Sequence, residues 1–183
     1  AAQIQGFFDI PVDHLYAAPV FQKHYAAMAL ENLTVLAADV GSSKRAGLMS
    51  KYLNAPLAIV DKRRHSPEHT EADKIIGSVE GRHVLIPDDM ISTGGTIVTA
   101  VNAARQNGAL DVYVCATHPV LAGPAVQRLN QLEVREIAVT DTIPIEGKAL
   151  ERTVVLSVAD MLAEAIRRIH VAESISQMFR HGW

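Results

Sequence analysis

The stretch VLIPDDMISTGGTIVTA, residues 84–100, decides how the rest of the chain is read. An apolar run from Val84 to Pro87 ends in the adjacent carboxylates Asp88 and Asp89. A Thr93-Gly94-Gly95-Thr96 turn follows, and helix-like apolar spacing begins after it. A strand that hands over to a helix through a small-residue turn is the unit of an open parallel sheet, in which ligands bind beyond the carboxyl ends of the strands. The helix start offers unpaired backbone N–H groups and the positive end of the helix dipole. Gly94 and Gly95 carry no side chain, so an anion can approach the backbone, while Thr93 and Thr96 add hydroxyl donors. That is the composition of a phosphate cradle. Asp88 and Asp89 lie too near such a phosphate to help bind it. They suit sugar hydroxyls, or a Mg2+ that shields them. Taken alone, the same letters also describe a solvated strand end and an ordinary helix cap.

Outward from this stretch the pattern repeats. Strand-length apolar runs are predicted at Thr34–Ala38, Leu57–Val60, His83–Pro87, Val112–Thr117, Glu136–Val139 and Thr153–Leu156. Helical spacing is predicted at Ser43–Leu53, Thr96–Asn107, Gly123–Gln131 and Val158–His170. Continuous apolar strands alternating with amphipathic helices imply βαβ units, a largely parallel sheet and right-handed crossovers with helices on both faces. Gly108 after Asn107 supplies a helix stop. In the last predicted helix Val158, Met161, Leu162, Ala165, Ile166 and Ile169 share one face, which reads as core packing. Pro87 is the misfit, because proline removes an N–H from a central strand.

The totals set the frame. The chain has 183 residues, 49% hydrophobic and 20% charged, which suits one α/β domain spanning residues 1–183. No apolar run reaches the eighteen or so residues of a membrane span. The start AAQIQGFFDIPVD lacks the basic and hydrophobic regions of a signal peptide. The net charge of −3 leaves no basic excess for nucleic acid. The one cysteine, Cys115, sits in an apolar run where a buried, inert thiol is expected, and it permits no internal disulfide, so a cytoplasmic setting is the default. His65 and His69 have i, i+4 spacing, but Pro67 between them argues against a helical metal site, and residues 62–74 read as a loop. His14, His24, His83, His118, His170 and His181 carry no spacing signal and are assigned to surface or packing.

The strand, acid pair and turn resemble the binding motif of the phosphoribosyltransferase superfamily. Further stretches resemble ribose-phosphate pyrophosphokinase (phosphoribosyl pyrophosphate synthase) in particular: QIQGFFDIPVDHLYA near the start, ADVGSSKRA at 38–46, IVDKRR at 59–64, then ATHPVLAGPAVQRL, VTDTIP and LAEAIRRIH. The likeness runs in order along essentially the whole chain. It implies a type I phosphoribosyltransferase-like α/β fold, with a parallel sheet and helices on both faces. It also implies that residues 1–20 are a junction segment and that the family's N-terminal ATP-binding domain is not part of this sequence. The activity implied is transfer of the diphosphoryl group of MgATP to the 1-hydroxyl of ribose 5-phosphate, giving phosphoribosyl pyrophosphate and AMP. The likeness implies cytoplasmic homo-oligomers as well, hexamers in the family, without membrane or nucleic-acid partners.

Carried over position by position, Ser92, Thr93, Gly94, Gly95 and Thr96 would hold the 5-phosphate, and Asp88 and Asp89 the ribose hydroxyls, directly or through Mg2+. Asp39 would coordinate Mg2+, although its spacing also suits a helix N-cap. Gly41, Ser42, Ser43 and Lys44 would face the diphosphate. Lys62 and Arg64 would neutralise the transferring phosphoryl oxygens, whereas Lys62-Arg63-Arg64 on its own reads as a solvated basic cluster. Four departures from the family pattern stand out: Ser92 at the place of a third acid, Ser42 at a glycine of the diphosphate loop, Glu68 at an asparagine and Pro119 at a glycine. They leave two further readings open, a catalytically silent partner of an active synthase, or a phosphoribosyltransferase that uses ready-made phosphoribosyl pyrophosphate.

Overall fold

The computed structural model describes Ile4, residues 6–61 and residues 74–179. Along the chain run α1 (Ala18–Ala27), β1 (Leu33–Ala37), α2 (Ser43–Tyr52), β2 (Leu57–Asp61), β3 (Lys74–Ile76) and β4 (His83–Met90). Then come α3 (Gly95–Gln106), β5 (Val112–His118), α4 (Ala125–Asn130), β6 (Glu136–Thr140), β7 (Thr153–Leu156) and α5 (Ala159–His170). The strands form one seven-stranded sheet in the order β3-β2-β1-β4-β5-β6-β7. Every pairing is parallel except that of the edge strand β3 with β2.

The central strands are apolar throughout because both their faces are covered. Leu36, Val84, Ile86, Val114 and Val139 lie in one core with Ile97, Ala100, Val101 and Ala104 of α3 and Ala125 and Leu129 of α4. Their neighbours along the strands, Val35, Ala37, Leu85, Tyr113, Cys115 and Ala138, lie in the other, with Phe21 and Tyr25 of α1 and Ala46 and Met49 of α2. The period of two thus sends alternate residues to opposite layers.

Three features depart from the expectation. Helix α1 is an addition; its signals are Pro19 near the first turn and the buried pair Phe21 and Tyr25 at i, i+4. Strand β3, three residues long and antiparallel, is too short to show a period. The α5 stripe is only partly core: Val158, Met161 and Ala165 pack with Met178, Leu15 and Val20, but Leu162, Ile166 and Ile169 are exposed. The apolar stripe on α5 is wider than the surface that the chain offers it.

Pro87 turns out to sit where its missing donor costs nothing. The amide of Val84 donates to Asp111, on the β5 side, so residues 84, 86 and 88 face β5, and 83, 85 and 87 face β1. The β1–β4 register runs Leu33↔His83 to Val35↔Leu85 and stops there, while β4–β5 continues to Met90↔His118. The next donor due toward β1 is that of residue 87, and proline has none. The two strands part at that point, which opens the sheet's carboxyl edge between them.

Candidate active site

The site lies in this fork. Strand β1 runs out through Ala38 into Asp39 and a 3-10 turn, Val40–Ser42, that starts α2, while β4 ends in the acid pair and the turn that starts α3. Between them is a cleft of about 340 Å3, lined by Asp39, Gly41, Ser42, Arg45, Asp88, Asp89 and the run Ser92–Thr96. That volume falls within the roughly 300–1,000 Å3 of small-ligand sites.

At one wall, Asp39 is extended (φ −165°), and its Oδ1 accepts the Ser42 amide at 2.8 Å. In return the Ser42 hydroxyl accepts the Asp39 amide at 3.1 Å and donates to the Asp39 carbonyl at 2.9 Å. This reciprocal capping explains the serine: residue 42 has φ −85° and needs no glycine, and its hydroxyl locks the loop. Asp39 is therefore an N-cap, as its spacing allowed. Its second oxygen has no protein partner among the described residues.

At the floor, Arg45 from α2 spans the acid pair. One guanidinium nitrogen lies 2.7 Å from Asp88 Oδ1, the other 2.7 Å from Asp89 Oδ2. The Asp89 amide donates to Asp88 Oδ1 at 2.8 Å, and the Met90 amide to Asp89 Oδ1 at 2.9 Å. The two carboxyls are pulled apart electrostatically. Burial pushes Asp88 up to about 6, opposed by the Asp89 amide and by Arg45. Around Asp89 burial is weaker and is outweighed by the hydrogen bond with Asp88, by Arg45 and by the Met90 amide, so Asp89 is held below its usual range. One charged and one readily protonated acid side by side can accept or donate toward a pair of hydroxyls.

At the far wall, Gly94 is the N-cap of α3 with φ +76°, a left-handed conformation that favours glycine. Among the described residues the amides of Ser92, Thr93, Gly94 and Gly95 donate to no protein acceptor, so four N–H groups at a helix start are available to an anion.

Of the residues singled out from the sequence, Asp39, Gly41, Ser42, Asp88, Asp89, Ser92, Thr93, Gly94, Gly95 and Thr96 come together in this cleft. Lys44 lines the adjoining cavity, which shares Gly41, Arg45, Asp88 and Asp89 with the cleft. Ser43, at the first position of α2, lines neither. Lys62 and Arg64 lie outside the described residues, as do Arg63, His65, Glu68 and His69. Cys115 is fully buried, and burial pushes its thiol well above the ordinary range, so it is inert. His24, given no role from the sequence, pairs with Glu136 at 2.8 Å. The cleft-lining side chain not singled out from the sequence is Arg45, which bridges the two acids. Its letter stands in ADVGSSKRA, but nothing in a helix-start pattern announces that a residue six positions after Asp39 reaches across to another strand.

Among the described residues no group of three or more His, Cys, Asp or Glu side chains is placed to hold a metal ion. Mg2+ does not need one, since it keeps its waters and is bound by one or two carboxylates together with substrate phosphates. Asp39, with one oxygen free, fits such an ion.

Residues 69–180, more than half of the chain, match the family model described as phosphoribosyl synthetase-associated domain. The chain is 46% identical over 180 residues to the ribose-phosphate pyrophosphokinase of Bacillus subtilis, covering 98% of this chain and 57% of that protein. Against the Rhodopirellula baltica protein of the same name it is 50% identical over 184 residues, covering 98% and 58%. The crystal structure of phosphoribosylpyrophosphate synthetase from Mycobacterium smegmatis superposes with a TM-score of 0.83 at 40% identity, over 94% of this chain and 56% of that one. The chain thus spans a little over half the length of the relatives it matches. Since the shared sequence takes in both the forked strands and the loops that leave them, the chain belongs to the ribose-phosphate pyrophosphokinase (phosphoribosyl pyrophosphate synthetase) family.

Proposed function

We propose that the cleft binds ribose 5-phosphate and that the chain is the ribose-phosphate-binding part of a ribose-phosphate diphosphokinase. The observation that carries this reading is the spacing of functions in one cleft: free amides at a glycine turn for the phosphate, and a bridged acid pair for the sugar hydroxyls. Ser92 to Thr96 hold the 5-phosphate, and Asp88 and Asp89 orient the ribose through its 2- and 3-hydroxyls. Gly41 and Ser42 border the space for the diphosphate, and Lys44 approaches it from the adjoining cavity. The ribose 1-hydroxyl attacks the β-phosphorus of ATP. The bond between that phosphorus and the α,β-bridging oxygen breaks, AMP leaves with the oxygen, and the hydroxyl proton is released. Lys62 and Arg64 are the cations this reading assigns to the moving charge, a task of positioning and electrostatics. Mg2+, when bound, neutralises the phosphate oxygens, with Asp39 as the carboxylate that fits it.

The same reading makes the protein cytoplasmic, supplied with ATP as donor, and assembled as a homo-oligomer, hexameric as in the family. Among the described residues no helix is long and apolar enough to cross a membrane. The deciding experiment incubates the protein with ribose 5-phosphate and MgATP and follows AMP and phosphoribosyl pyrophosphate. Both should appear in equal amounts. Nucleotide formed instead from phosphoribosyl pyrophosphate and a free base would make the chain a transferase. No AMP, with normal assembly onto an active synthase, would make it a silent partner.

A further inference from the structure

The turn that offers its amides to the cleft is gripped from behind. The Leu121 amide donates to the Ile91 carbonyl at 2.9 Å, the Ala122 amide to the Ser92 carbonyl at 2.9 Å, and the Arg128 guanidinium to the Thr93 carbonyl at 3.1 Å. Three successive carbonyls are thus held by one segment, the loop before α4 and α4 itself. A trans peptide is planar, with its C=O and N–H pointing in opposite directions. Fixing the carbonyls of Ile91, Ser92 and Thr93 therefore aims the amides of Ser92, Thr93 and Gly94 the other way, away from α4. These are amides that find no protein acceptor among the described residues.

Helix α4 also fills the space behind the turn. A Cβ on Gly94 would stand 3.7 Å from Leu129 and 3.8 Å from Ala125, both fully buried, and a Cβ on Gly95 would stand 3.9 Å from the Arg128 nitrogen. Of the three grips, two are backbone amides, which any residue supplies; the third depends on the side chain of Arg128. It acts on the peptide between Thr93 and Gly94, the one that leads into the left-handed residue.

We infer that Arg128 is a positioning residue: it holds the Thr93–Gly94 peptide in the orientation that presents its N–H to phosphate, without touching the phosphate. The inference rests on the proposed reading of the cleft as a ribose 5-phosphate site. Its consequence is that affinity for the phosphate depends on a cation on the far side of the loop, through geometry and not through its field.

The test titrates 15N-labelled protein with ribose 5-phosphate and follows the amide resonances of Ser92 to Thr96 in the wild type, Arg128→Ala and Arg128→Lys. In Arg128→Ala the dissociation constant should rise about tenfold, the scale of a lost charged hydrogen bond, and the Gly94 resonance should broaden before any ligand is added. Arg128→Lys, which can still reach the carbonyl, should recover most of the affinity. The loss in Arg128→Ala should persist in 0.5 M salt, since loop geometry is not screened. A loss that vanishes in salt would show Arg128 acting by charge and overturn the inference; so would unchanged affinity with a sharp Gly94 resonance. If the wild-type amides do not respond to ribose 5-phosphate at all, the reading of the cleft itself fails and takes this inference with it.

Discussion

Replacing Arg45 by alanine tests the electrostatics of the acid pair most directly. Arg45 meets both carboxylates at 2.7 Å, but the two contacts are unequal: the Asp88 side chain is 15% exposed and that of Asp89 57%. Water screens the Asp89 contact, and exposed pairs contribute about 0–1 kcal/mol. The Asp88 contact is sheltered, so most of the effect falls there. An arginine beside an aspartate lowers its pKa by roughly 1–3 units. Asp88 stands at about 6 with Arg45 in place, mainly through burial, so losing this cation moves its carboxyl further up. At pH 7 the wild-type group is mostly ionised, and a larger share of the variant's would be protonated. A protonated carboxyl loses acceptor capacity toward a sugar hydroxyl, and a charged hydrogen bond contributes about 1.5–3 kcal/mol. Calorimetric titration with ribose 5-phosphate at pH 7 should therefore show about two- to tenfold weaker binding by Arg45→Ala, with recovery toward pH 9. Carboxyl 13C resonances should move Asp88 upward in the same variant. A flat pH profile with wild-type affinity, or an Asp88 that still titrates near 6, would refute the reasoning.

Three further outcomes are expected. Asp88→Asn should stabilise the fold at pH 8. A carboxyl whose folded pKa is raised contributes stability below its unfolded value that is lost as pH rises through about 6, on the order of 2–3 kcal/mol in all. Chemical denaturation of the wild type and the variant should converge near pH 4 and diverge above 6, while the variant binds ribose 5-phosphate more weakly. Gly94→Ala has room for its methyl but not the φ of +76°, so it should cost roughly 1–2 kcal/mol and lower the melting temperature by a few degrees, with weaker phosphate binding. Asp39→Asn keeps an oxygen for the Ser42 amide, so its melting temperature should stay within about a degree of wild type. Its Mg2+ requirement in the AMP-release assay should rise severalfold, because a neutral amide is a poorer ligand for the ion.

The central strands were legible because burial on both faces writes an unbroken apolar run, α5 because its apolar period is sharp, and α2 to α4 because they fill the spaces between those runs. The acid pair and the turn were legible because a parallel sheet puts function where strands end, so composition at that junction carries information. Helix α1 escaped because its two buried aromatics stand among alanines and polar residues that show no period. Arg45 escaped for a different reason. Its partners lie 43 and 44 positions away on another strand, and only the parallel β1–β4 register, through the start of α2, brings them within reach. The departures at Ser42 and Pro87 looked costly as letters and prove harmless in place: one residue has an ordinary φ, and the other stands where its ladder partner has already turned away. The α5 stripe shows the converse, in that a helical period marks an apolar face but not how much of it the chain itself covers.

Proline at the crotch of β1 and β4 has a bearing on how the cleft behaves. Parallel strands lengthen their pairing by zipping residue by residue, and a vacant gap between two of them invites it. Here the tooth that would engage next is chemically missing, which disfavours extension of the β1–β4 ladder into the gap. Any ligand that enters the cleft between the two strands meets no β1–β4 ladder contact there to break.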